Sequence, residues 1–74
     1  MDIFAREVSG NTMAIHLETN ATVARAIEEI KSTSPALGEF DLYFAGRHLS
    51  NTGTMLTDYQ ISNDAVLMIV ARVQ

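Results

Sequence analysis

The sequence contains no cysteine. Disulfide bridges, thiolate metal sites and thiol-based catalysis are excluded together. Lysine is almost missing too, Lys31 being the only one. The longest unbroken apolar run, Ala65 to Ala71, falls far short of the ~20 apolar residues that a membrane-spanning helix requires. No basic stretch leads into an apolar one at the N-terminus, so no secretory signal is expected, and a cytoplasmic or nuclear location fits. Basic charge is scarce: nine Asp and Glu face five Lys and Arg, for a net charge of −4. Nucleic-acid binding needs a basic footprint, so neither nucleic acid nor membrane is an expected partner.

What remains is a short chain rich in apolar residues. Seventy-four residues suit one domain, residues 1–74, and a chain of this size buries only about 60% of its unfolded surface. Without disulfides, the core must come from a single well-packed apolar layer. A hydrophobic content of 47% is enough for that and too high for a disordered chain.

Two strand-like runs open the chain, Ile3 to Val8 and Thr12 to Leu17, separated by Ser9-Gly10-Asn11. Gly10 can take the positive φ that a bulged hairpin turn requires. Pairing across this turn places Ile3, Ala5, Met13, Ile15 and Leu17 on one face. Asp2, Phe4, Arg6, Thr12, Ala14 and His16 fall on the other, with Phe4 exposed and His16 facing Asp2. A helix follows. Thr22 is its expected N-cap, and Val23, Ala26, Ile27 and Ile30 form an apolar stripe at helical spacing. Glu28 and Lys31 stand three apart and are expected to pair. The stretch Ser32 to Gly38, with Pro35 in it, stops the helix. Phe40 to Phe44 reads as a strand, Ala45-Gly46 as a turn, and Arg47 to Leu49 as a short returning strand. Ser50 to Thr54 reads as a loop, Leu56 to Tyr59 as one helical turn, and Ala65 to Val73 as a final β-type run. The expected class is α+β, with one helix across a face of a mixed sheet of four to five strands. Local physics leaves the strand order open.

Five segments in this order and spacing carry a resemblance. Met1-Asp2-Ile3-Phe4 with Gly10, Thr22 with the Val23/Ile30 stripe, Leu42 to Leu49, Leu56 to Ile61, and Leu67 to Val70 with Arg72 resemble the ubiquitin family along nearly the whole chain. The resemblance implies a β-grasp, a sheet wrapped around one helix with its first and last strands parallel at the centre. It implies an apolar binding patch at Val8, Tyr43, Met68 and Val70, a basic rim at Arg6, Arg47 and Arg72, and a smaller second surface at Phe4. Alternation supports the patch in part, since Met68 and Val70 face opposite Leu67 and Ile69. The plain alternative is that these are ordinary solvent-facing strand residues and solubilising charges.

The departures from the family bear on function. The positions matching ubiquitin's chain-forming lysines hold Arg6, Asn11, Ile27, Glu29, Thr33, Arg47 and Asn63. Tyr43 replaces an aliphatic residue, and Asp41 stands where the family carries an arginine. The sequence ends at Val73-Gln74 without a diglycine, so conjugation is not expected. The leading expectation is a monomeric, non-conjugated ubiquitin-like interaction domain within a larger protein. It would dock onto ubiquitin-binding helices, small helical domains or proteasome receptors. The alternative is a modifier or ribosomal-fusion head whose diglycine follows, and a sulfur carrier would need the same tail. His16 with Asp2 offers too few ligands for zinc, and His48 has no assigned partner. With no nucleophile elbow and no phosphate-cradling glycine loop, neither an enzyme nor a cofactor is expected.

Overall fold

The turn residues set up the sheet. In the computed structural model, which describes residues 1–72, Gly10 takes φ 109°. The Gly10 amide donates to the Glu7 carbonyl at 2.9 Å, and the Glu7 amide to that of Asn11 at 2.8 Å. This closes a hairpin of β1 (Asp2–Glu7) and β2 (Thr12–His16). Each strand ends one residue earlier than its apolar run. The register pairs Asp2 with His16, Ile3 with Ile15, Phe4 with Ala14, and Arg6 with Thr12. A second tight turn has Ala45 at φ 52° and Gly46 at φ 80°, the double positive φ of a type I′ hairpin. Holding an alanine there costs about 1–2 kcal/mol. It joins β3 (Phe40–Phe44) to the two-residue β4 (Arg47–His48).

The helix α1 (Val23–Thr33) starts where its cap predicts. The Thr22 hydroxyl accepts from the Arg25 amide at 3.3 Å. Two further orphan donors of the first turn are met by the following loop: the Val23 amide reaches the Thr54 carbonyl and the Ala24 amide that of Thr52, each at 3.0 Å. The expected Glu28–Lys31 pair is not formed. Arg25 lies one turn before Glu29 and takes it at 2.8 Å, with Glu28 at 3.9 Å and Glu18 at 3.7 Å, while Lys31 reaches Glu39 at 3.5 Å. The Glu29 hydrogen bond makes Arg25 still harder to deprotonate. The segment that stops the helix carries a 3₁₀ turn, Pro35–Leu37. A second one, Leu56–Tyr59, matches its expected bounds.

The last strand, β5 (Val66–Ala71), lies between the others. The five-stranded sheet has the order β2-β1-β5-β3-β4, with β1 and β5 parallel and the remaining pairs antiparallel. This is α+β with a β-grasp arrangement. The expected end of the final strand at Val73 lies outside the described residues. Ile3, Ala5, Leu67 and Ile69 on the inner face of the central strands meet Val23, Ala26 and Ile30 of α1 in one core. Every buried residue described is apolar. Among the described residues no helix is long and apolar enough to cross a membrane.

Candidate protein-binding surface

Since successive strand residues alternate between faces, burying Ile3, Ala5, Leu67, Ile69 and Leu42 turns their neighbours outward. The outer face is best followed as rows across the strands. One row runs from Ala14 through Phe4 to Val66. The next runs Thr12, Arg6, Met68, Tyr43 and His48. In a third, Val70 pairs with Asp41. The β5 residues Val66, Met68 and Val70 stay 46%, 37% and 38% exposed. Apolar side chains thus follow one another from Phe4 through Val66 and Met68 to Val70 and Tyr43, with no strand break between them.

This geometry brings most of the expected residues together. Met68 and Tyr43 are direct cross-strand partners, with Val70 two residues along. Arg6 flanks Met68 on the β1 side and has no ion-pair partner among the described residues. Phe4 is half-buried rather than exposed; it sits on a central strand, paired with Ala14 on one side and Val66 on the other. Val8 is 71% exposed at the hairpin turn, just past the end of β1, beside a hollow shared with Leu37, Ile69 and Ala71.

Two arginines of the expected rim are placed differently. Arg47 pairs with Phe44, which packs towards the core, and its guanidinium lies 5.9 Å from the centre of the Tyr59 ring. It therefore stands on the side of the sheet away from the Tyr43 row. Arg72 is engaged: its Nη2 and Nε donate to Asp41 Oδ1 at 2.6 and 3.1 Å. That hydrogen bond, above all, holds the Asp41 carboxyl below the usual carboxylate range. The nearby Arg72 and His48 charges add to the effect, and partial burial opposes it. His48 is partnered after all. Its ring stacks on Tyr43 with centroids 4.8 Å apart, and its Nε2 lies 3.4 Å from Asp41 Oδ1. At the opposite corner, His16 Nδ1 and Asp2 Oδ1 are 2.6 Å apart, and this hydrogen bond lowers the Asp2 pKa.

No family model matches the chain, and no curated protein does. Four hollows among the described residues, none of them lined by Phe4, Tyr43, Val66, Met68 or Val70, hold about 120 to 240 Å³, less than the roughly 300–1,000 Å³ of a pocket that encloses a small molecule. No described cluster of His, Asp or Glu could hold a metal ion.

Two contributors to this surface escaped the sequence reading, although each left a signal. Val66 shares the parity of Met68 and Val70 within one run. His48 becomes the partner of Tyr43 as soon as Ala45-Gly46 is taken as a two-residue turn, because such a turn pairs residues 44 with 47 and 43 with 48.

Proposed function

We propose that the outer sheet face is a protein-docking surface and that the chain acts as a ubiquitin-like interaction domain in the cytoplasm or nucleus. It would bind ubiquitin-recognising helices or small helical domains, proteasome receptors among them. The observation that carries this reading is the unbroken apolar succession Phe4, Val66, Met68, Tyr43 and Val70 on the side of the central strands that no described element covers. Contiguous apolar surface on a small domain marks an interface more often than isolated exposed residues do. Tyr43 supplies an aromatic anchor with a polar tip, of the kind enriched at binding hot spots. Arg6, beside Met68 and without an ion-pair partner among the described residues, suits a partner that carries carboxylates.

Isothermal titration with a ubiquitin-recognising helical peptide tests the reading. The double variant Tyr43→Ala/Val70→Ala is expected to weaken binding by about tenfold or more while the protein still melts cooperatively. Unchanged affinity in a folded double variant would refute the assignment.

A further inference from the structure

The docking face is electrically lopsided, and the cause lies in one carboxylate. The exposed β5 residues Met68 and Val70 form its ridge. On the β1 flank, Arg6 sits beside Met68 and is exposed, with no ion-pair partner among the described residues. On the β3 flank, Asp41 sits beside Val70. A single oxygen, Asp41 Oδ1, accepts both Arg72 hydrogen bonds and lies 3.4 Å from His48 Nε2. Arg72 Nη1 also comes within 4.0 Å of Glu39 Oε2. The Asp41 side chain is only 23% exposed, against 55% for Arg72. The carboxylate is the more buried member of the pair, and the guanidinium the more exposed.

Resting on the reading of this face as a docking surface, we propose that Asp41 takes the place at Arg72 that a partner's carboxylate would otherwise occupy. The face then offers one available cation rather than two. The partner that fits is an amphipathic helix lying along β5, with an apolar stripe on Met68 and Val70 and carboxylates only on the flank over β1. A carboxylate on the other flank meets Asp41 and Glu39 and finds Arg72 already paired. Discrimination of this kind works by repulsion as well as attraction, and it also fixes which way round the helix lies.

The test uses two synthetic helical peptides with the same leucine stripe, one with glutamates on a single flank and one with glutamates on both. They are titrated against the 74-residue chain. Wild type is expected to favour the single-flank peptide. Asp41→Asn should tighten the double-flank peptide by about two- to fivefold, the range of an exposed ion pair. It should leave the single-flank peptide unchanged, and the gain should vanish in Asp41→Asn/Arg72→Gln. Should Asp41→Asn unfold the sheet, Asp41→Ser carries the same test: it should tighten the double-flank peptide and leave the single-flank peptide unchanged. If Asp41→Asn folds and changes neither affinity while Tyr43→Ala/Val70→Ala still weakens binding about tenfold or more, the competitor role is overturned and the docking face stands. If the double variant also leaves binding unchanged, both fall.

Discussion

The two faces of β5 carry similar side chains and meet different fates. Leu67 and Ile69 are 0% and 1% exposed, whereas Val66, Met68 and Val70, alternating with them, are 37–46% exposed. Helix α1 covers the first pair, and no described element covers the second set. Apolar character in a strand therefore does not state how deeply it is buried. The neighbour decides that, and a strand apolar on both sides with one cover has a face left over for something else.

The largest expected effect falls on the covered face. Ile69→Ala should cost about 2–5 kcal/mol, read from urea unfolding at constant slope. The cover itself comes next. Thr22→Ala removes the N-cap hydrogen bond of α1 and should cost about 1 kcal/mol by the same measurement. On the open face, Val70→Ala should cost no more than about 1 kcal/mol. A loss as large as that of Ile69→Ala would break the comparison and make the outer face structural. The smallest effect concerns pH. Asp41 has a lowered pKa in the folded chain, so its contribution is fully present above the ordinary carboxylate value of about 4 and is lost as pH falls through its lower folded value. Thermal melts taken downward from neutral pH should therefore show a shallower acid decline for Asp41→Asn than for wild type.

Local features were legible and long-range ones much less so. The bounds of β3 and of the Leu56–Tyr59 turn match the sequence reading, and so does the β1–β2 register. Alternation and turn glycines encode these within a few residues. The parallel β1–β5 pair was implied only by resemblance, since nothing local chooses between strand orders. The extra helix caps at Thr52 and Thr54 were invisible because backbone carbonyls carry no side-chain signature. The Asp41–Arg72 pair joins residues 31 apart, and its meaning for the face emerges only once β3 and β5 are known to be neighbours. Glu28–Lys31 failed for a local reason: spacing of three permits a pair, but Arg25 drew the acidic side chains and Glu39 drew the lysine.

The parallel pairing of the first and last strands also has a consequence in time. While the chain is being synthesised, β1 emerges early and holds only its hairpin partner. An isolated hairpin is at best marginally stable. Its central neighbour, residues 66–71, emerges only after the second strand, the helix and the third and fourth strands that lie between them in the chain. The inner-face residues Ile3 and Ala5 therefore wait beside an open strand edge until β5 has emerged. During that interval the nascent chain is exposed to wrong pairings with other strands, and a chaperone can discriminate between it and the finished domain.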